Sequence, residues 1–584
     1  MKKRRGVTFN HNPLLEKGLP VWRPRVVLLA LLFGSFALVA RAGYLQGVQD
    51  DFLQAKGASR YARVLEIPAT RGKIMDRHGA VLAASTPVKS VWAIPGDAKL
   101  SPTDARKLAG LLDMNVRELN RKLARESDFV FLQRQVSPEV AARVADMNLP
   151  GIHEENAHRR YYPGAEVMAH VLGFTGVDDH GQEGIELAFE AQLAGKAGSR
   201  RVIKDRRGRI VEDVESIRTP QEGQDITLSL DGKIQYLAYA ALQEAMSVHR
   251  AKSGGVVVLD AHSGEVLAMV NAPTYNPNNR DALSGAQLRN RAITDTFEPG
   301  SVMKPFVAAL ALERGKFRFD TVIDTGDGRM SFDNATISDA HKHGPLTVAE
   351  VIQKSSNIGI VRMAMSFQPQ EMWSLYDSLG FGTAMLTGFP GEASGRLRPA
   401  SAWRPVEQAT MSYGHGVSVS LMQLARAYAV FARDGDMVPV RLTRAEAPQP
   451  AGQRIFSPQT VREMRAMMEM VVQEGGTAPQ AQVPGYRVAG KTGTAHKLVG
   501  AKYSDKYVAS FVGFAPVSNP RLVIAVMIDE PSGKQYYGGQ VAAPVFSKVM
   551  SGALRALSVP PDAPVAPMHM ARTGESASLV RESM

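Results

Sequence analysis

The chain has 584 residues, 44% hydrophobic and 22% charged, which is ordinary globular usage and excludes a wholly disordered or collagen-like protein. It has no cysteine, which excludes a thiol nucleophile, a disulfide scaffold, a Cys-ligated zinc and a Cys-bound iron–sulfur cluster, while leaving the redox compartment open. A formal charge of +12 fits nucleic acid, an anionic membrane surface or neither, and where the charge sits decides between them.

The first 25 residues carry Lys2, Lys3, Arg4, Arg5, Lys17, Arg23 and Arg25 against the single acid Glu16, half of the whole excess. An uncharged run follows, Val26 to Ala40. Its fifteen residues fall short of the ~20 that span a bilayer core. Ala42, Gly43 and Leu45 extend it, Arg41 can snorkel, and Trp22 and Tyr44 stand where interfacial aromatics belong. The positive flank predicts a cytoplasmic tail over 1–25, a single-pass anchor over 26–45 and an extracytoplasmic remainder. A cleaved signal peptide competes, because Ala40-Arg41-Ala42 fits the small-x-small cleavage pattern; the long basic segment favours an uncleaved anchor. The other half of the charge is spread thinly and calls for no nucleic acid.

Residues 46–225 read as a mixed, basic, loop-rich pedestal domain without catalytic pattern. Asp76-Arg77-His78-Gly79 lies between two short apolar strands and predicts a hairpin. Arg160-Tyr161-Tyr162-Pro163 and Gly181-Gln182-Glu183-Gly184-Ile185-Glu186 are two further clusters, each read alone as a structural turn. From residue 226 the texture changes to that of an α+β domain running to 557. Ile226 to Leu230 alternates like a strand, Asp231 can cap a helix, and Ile234, Leu237, Ala238, Ala241, Leu242 and Ala245 recur at helical spacing. Gly255–Asp260 and Val266–Val270 predict a hairpin, and Tyr507–Phe514 with Arg521–Ile528 a second pair of strands. Residues 558–584, rich in Pro, Ala and Ser, predict a disordered tail.

Ser301 and Lys304 open an apolar helix and lie three apart, hence on one face. A serine hydroxyl attacks only once a base takes its proton, and a neutral amine one turn away can serve. Keeping a lysine neutral near pH 7 means lowering its pKa by roughly 3 pH units, around 4 kcal/mol, through desolvation or a second cation. Ser-x-x-Lys alone is a weak signal, since chance supplies matches in a chain this long. Two later elements reverse that weight. In Lys354-Ser355-Ser356-Asn357, Ser355 and Asn357 bracket one residue and can offer one cavity a hydroxyl relay and an amide. In Gly490-Lys491-Thr492-Gly493-Thr494, Lys491 can supply the second cation. Gly493 lets a substrate backbone lie close, and the strand edge offers N–H groups to an extended peptide. The ordered trio Ser-x-x-Lys, Ser-x-Asn, Lys-Thr-Gly is the pattern of penicillin-binding proteins and β-lactamases.

The sequence closely resembles the class B penicillin-binding proteins, specifically the septal peptidoglycan D,D-transpeptidases of Gram-negative bacteria. The resemblance runs from the basic tail and anchor through the Arg71–Gly79 box, Arg160-Tyr-Tyr-Pro and Gly181-x-Glu-Gly-x-Glu to the catalytic trio, Ala272–Asn279, Tyr536-Tyr537-Gly538-Gly539 and Ala543–Phe546. One departure is Ala165 in Pro163-Gly164-Ala165-Glu166, where relatives usually carry glycine. The resemblance implies an anchor, an elongated pedestal and a transpeptidase domain built on an antiparallel sheet with helices on both sides. It implies that Ser301 acylates on the D-Ala-D-Ala bond of a stem pentapeptide, from lipid-linked precursor or nascent glycan strands, and that Lys304 is its base. Ser355 and Asn357 would relay the proton and hold the substrate amide, and Lys491, Thr492 and Thr494 would bind the terminal carboxylate. The oxyanion hole would be the N–H groups of Ser301 and Thr494. β-Lactams would acylate the same serine, and no cofactor or metal is implied. Implied partners are division-complex membrane proteins, including a polytopic glycosyltransferase, and the implied location is the inner membrane with a periplasmic catalytic domain. An elongation-type transpeptidase shares all three motifs, a β-lactamase lacks reason for so large a tethered pedestal, and a β-lactam sensor or a division scaffold whose catalysis is secondary is a further alternative, the intact trio arguing against an inert scaffold.

Overall fold

A computed structural model describes Pro20 and residues 22–48, 62–127, 129–204, 210–280, 283–333, 335–445, 452–500 and 502–563. Most of the expected cytoplasmic tail and nearly all of the expected C-terminal tail fall outside the described residues. The chain separates into two compact units, one of 1–68 with 196–221 and one of 69–195 with 222–584.

The smaller unit holds an apolar helix, Trp22–Gly43, and a three-stranded antiparallel sheet of Ala62–Ile67, Gly198–Lys204 and Ile210–Arg218. The helix buries no side chain. Its 22 residues rise about 33 Å, so it supplies the span that the uncharged run alone lacks.

In the larger unit, Ile74–Met75 (β1) and Val81–Ala93 (β2) form the hairpin expected around Asp76–Gly79. Asp76 holds that turn, its Oδ1 accepting from the backbone N–H of His78 at 2.9 Å and Ala80 at 2.8 Å. Val130–Val136 (β3) and Ile152–Tyr161 (β4) both pair with β2. This head has a small core of its own around Val91, Leu108, Leu119, Leu132 and Val144. Below it Ala165–Leu172 (α1) packs into a different, much larger core. Ala165 opens that helix with φ +40°, the left-handed region that glycine adopts without strain. Its position is fixed from outside: Thr274 Oγ1 donates to Glu166 O at 2.9 Å and Asn276 Nδ2 to Glu166 Oε1 at 2.9 Å. The sequence departure at 165 is therefore accommodated as local strain.

Ile226–Thr227 (β5) pairs in parallel with β1 and leads into Gly232–His249 (α2), whose cap Asp231 accepts from Lys233 N–H and Ile234 N–H. Ser253–Asp260 (β6) and Val266–Ala272 (β7) form the expected hairpin. Lys304–Glu313 (α3), Val348–Lys354 (α4), Asn357–Ala364 (α5) and Leu421–Ala432 (α6) follow. The chain returns through Ala489–Val499 (β8), Lys502–Ala515 (β9) and Leu522–Asp529 (β10) to Ala543–Ala556 (α7). The sheet is antiparallel in the order β7-β6-β10-β9-β8. Every residue of β6, β7 and β10 is buried, which requires cover on both faces. Neighbouring glycines show that cover: a Cβ at Gly254 would meet Leu242 of α2, and one at Gly255 would meet Leu421 of α6. The fold is thus the α+β sandwich expected, with β8 left at the sheet edge. Tyr162, Met168, Phe174, Ile185 and Leu193, read from sequence as pedestal, share one continuous core with this sheet.

Candidate active site

Gly300 takes φ +65° and Gly300–Met303 forms a 3₁₀ turn that runs into α3, with Pro305 in the first α-helical turn, where its missing N–H leaves no bond broken. The turn is clamped on three sides. Tyr428 on α6 donates its buried hydroxyl to Val302 O at 2.7 Å. A Cβ on Gly414 would lie 2.3 Å from Gly300 O, and one on Gly493 2.8 Å from Pro299 O, so both flanking segments approach the turn as bare backbone. Ser301 sits half-buried on this turn, and its hydroxyl has no hydrogen-bond partner among the described residues.

One turn on, Lys304 is completely buried. Its Nζ donates to Ser355 O at 2.5 Å and to Ser355 Oγ at 3.2 Å. Lys491, on the edge strand β8 and equally buried, reaches the same Ser355 Oγ at 2.8 Å and Thr492 Oγ1 at 3.3 Å. Ser355 can meet both amines because it ends α4 with φ +62°, turning the chain before Ser356 caps α5. Lys304, Ser355, Lys491 and Thr492 are therefore one connected cluster. Thr492 also shares a 3.0 Å hydroxyl contact with Thr477, and Thr494 Oγ1 accepts from Gly538 N–H at 3.0 Å, which leaves the Thr494 hydroxyl proton to donate elsewhere. Gly493 faces the other way, toward Val302 and Ser510, as alternation along a strand requires. Asn357 is not joined to the cluster by a hydrogen bond; its Nδ2 donates to Ser338 O at 2.8 Å.

Burial lowers the Lys304 amine to about 7, with the Asp339 carboxylate opposing the shift. Lys491 is pushed well below the ordinary lysine range by burial and then by the charge of Lys304. Desolvation is thus the leading cause at Lys304, where the sequence pointed to Lys491 as the second cation.

Two carboxylates were missed by sequence reasoning. Asp339 accepts from Ser356 Oγ at 2.6 Å, Asn357 N–H at 2.5 Å and Ile358 N–H at 3.0 Å, anchoring the segment that presents Ser355. Glu298 accepts from Gly416 N–H at 2.8 Å and Tyr503 OH at 3.0 Å, strapping the nucleophile turn to its neighbours. Only Glu298 had a sequence signal, its place beside Pro299-Gly300. Among the described residues no group of three or more His, Asp or Glu side chains is placed to hold a metal ion.

Two family descriptions match the chain, the penicillin-binding protein dimerisation domain over residues 66–228 and the penicillin binding protein transpeptidase domain over 254–551. The probable peptidoglycan D,D-transpeptidase PenA of Neisseria gonorrhoeae is 45% identical over 545 residues, 92% of this chain and 93% of that one. The peptidoglycan D,D-transpeptidase FtsI of Escherichia coli is 41% identical over 545 residues, 92% and 91%. Among solved structures, the TP domain of Burkholderia pseudomallei penicillin-binding protein 3 is 51% identical with a TM-score of 0.54, covering 58% of this chain and 98% of that one. A peptidoglycan synthetase from Bifidobacterium adolescentis is 26% identical with a TM-score of 0.68, covering 86% and 98%.

Proposed function

The chain belongs to the penicillin-binding proteins that join a dimerisation domain to a transpeptidase domain, and from that premise we propose that it is a septal peptidoglycan D,D-transpeptidase acting through an acyl-enzyme on Ser301. The observation that carries the reading is the convergence of two buried amines, Lys304 and Lys491, on Ser355 Oγ beside the turn that bears Ser301. Neutral Lys304 takes the Ser301 proton as Oγ bonds to the penultimate D-Ala carbonyl carbon. The C–N bond to the terminal D-Ala breaks, and the proton passes through Ser355 to the departing amine. An amine of a second stem peptide then attacks the ester, forms the cross-link amide and restores Ser301. Asn357 holds the substrate amide, while Lys491, Thr492 and Thr494 receive the terminal carboxylate, whose negative charge favours the protonated form of Lys491. Gly493, expected from sequence to admit a substrate backbone, instead lets the turn that bears Ser301 lie against β8 as bare backbone, and the N–H groups of Ser301 and Thr494 stabilise the oxyanion.

The helix Trp22–Gly43 serves as a single-pass inner-membrane anchor, with the tail of 1–25 cytoplasmic and the pedestal of 46–225 and catalytic domain of 226–557 periplasmic. A septal role accords with the FtsI name of one relative, and the pedestal is the surface offered to division-complex membrane proteins, a polytopic glycosyltransferase among them. Fluorescent penicillin labelling tests the chemistry: the wild type labels covalently and Ser301→Ala does not. Covalent labelling of the alanine variant would assign the nucleophile elsewhere.

A further inference from the structure

A cavity of about 50 Å³ opens where β3, β4, the Thr175–Gly176 turn and the segment after β7 meet. That volume suits on the order of four waters, or one phosphate group. Its walls are polar and include Gln135, Arg159, Arg160, Tyr162, Asn278 and Arg280, with no carboxylate among them.

The charge around it is unbalanced. Arg160 is buried and fully committed, its Nε to Glu186 at 2.7 Å and its other nitrogens to Ser85 Oγ and Gly72 O. Glu186 is itself shared with Arg71, which also pairs with Glu190. Glu186 and Glu190 are thus matched to Arg71 and Arg160, Asp178 pairs with Arg134, and the Asp179 carboxylate, whose buried Oδ1 has no hydrogen-bond partner, interacts electrostatically with Arg71 and Arg160. Arg159 and Arg280 have no ion pair among the described residues. Arg159 makes one long hydrogen bond, 3.4 Å to Asn278 O, and Arg280 lies over the Phe174 ring at 4.4 Å, a cation–π contact that needs none of its N–H donors. Tyr162 adds a further donor, because its oxygen already accepts from Thr175 N–H at 3.0 Å and its own proton remains. Donors therefore converge from three segments on one small space.

We propose that this cavity is a binding site for a phosphate-class oxyanion, held between the guanidinium forks of Arg159 and Arg280 and capped by the Gln135 amide and the Tyr162 hydroxyl. Convergence from several directions suits a tetrahedral oxyanion. Gln135, Arg159 and Tyr162 belong to the dimerisation-domain match and Asn278 and Arg280 to the transpeptidase match, so the bound anion ties the two together. The site is independent of the catalytic reading.

The test uses the full chain in detergent micelles. Inorganic phosphate is titrated against chloride at equal ionic strength, following ³¹P line broadening and the thermal midpoint, for the wild type and for Arg159→Ala/Arg280→Ala. The wild type broadens the phosphate signal and gains thermal midpoint, and the double variant binds roughly tenfold more weakly or not at all while still labelling with fluorescent penicillin. Arg280→Lys, which keeps the charge and loses the fork, binds at an intermediate level. Repeating the titration with a phosphodiester separates the sources: binding of phosphate alone assigns a free anion, and binding of both assigns a headgroup-type ligand, either outcome supporting the site. An equal response in the double variant, or no response above chloride in the wild type, overturns it.

Discussion

In the proposed mechanism Lys304 is the base in a position that disfavours its own charged form. Burial holds the amine at about 7, against the pull of Asp339. The neutral amine is the active one, so acylation should climb as pH rises through about 7 and fall as pH drops below it. Lys491, Asp339 and His415 all face this amine electrostatically, and only Asp339 raises its pKa. Asp339→Asn keeps an acceptor for Asn357 N–H and Ile358 N–H but removes the anion. The midpoint of its pH–acylation profile should therefore move to lower pH, read by stopped-flow acylation with a chromogenic β-lactam. A profile that stays in place, or moves up, would show that Asp339 does not act on Lys304 through charge. Ser301, Lys304, Ser355 and Lys491 were legible because fixed short spacings put chemistry on one helix face or one strand. Asp339 was not, because it meets its partners 17 to 19 residues on, across a loop and the whole of α4, a separation that leaves no local pattern.

Among the elements, the periodic ones were legible and the strained ones only by contrast. The hairpin of β6 and β7, the pair β9 and β10, and α2 with its Asp231 cap follow from periods of 2 and 3.6 and from turn chemistry, which are local properties. The start of α1 shows what such patterns omit. Nothing in Pro163-Gly164-Ala165-Glu166 announces a left-handed residue; only the difference from relatives singled out position 165. The conformation persists because Glu166 is pinned by Thr274 and Asn276 while Ala165 N–H bonds back to Tyr162 O at 3.1 Å. Ala165→Gly should relieve the strain, offset in part by the greater freedom of glycine in the unfolded chain, for a net gain of roughly 0.5–1 kcal/mol. The expected result is a small rise in thermal midpoint with unchanged penicillin acylation. A fall in midpoint would mean that the unfolded-state term dominates.

Across the whole molecule, the three clusters that looked like separate turns turn out to be one device. Arg71 from the first, Arg160 from the second and Glu186 from the third meet in a buried network with both ion pairs at 2.7 Å. The remaining guanidinium donors find Glu190, Asp179 O, Glu186 O, Ser85 Oγ and Gly72 O. Their separations of 26 and 115 residues made that meeting invisible to any reading of spacing, although each cluster stood out for its density of charge and glycine. Burial lowers the Arg71 pKa, but Glu186 and Glu190 outweigh it and hold the guanidinium above its ordinary range. Glu186 is the shared anion, so Glu186→Ala would leave two buried cations without it, a loss of about 3–5 kcal/mol. The pair is out of reach of solvent ions, so the penalty should persist at high salt, unlike that of a surface bridge. Thermal unfolding of the full chain at low and high ionic strength checks both points. A midpoint lowered by several degrees under both conditions is expected, and one that recovers in salt would show that water and ions enter the network. Because their chain neighbours Tyr162 and Ile185 share a continuous core with the catalytic sheet, the loss should also broaden the transition of the catalytic half, measurable as faster inactivation of penicillin labelling on heating.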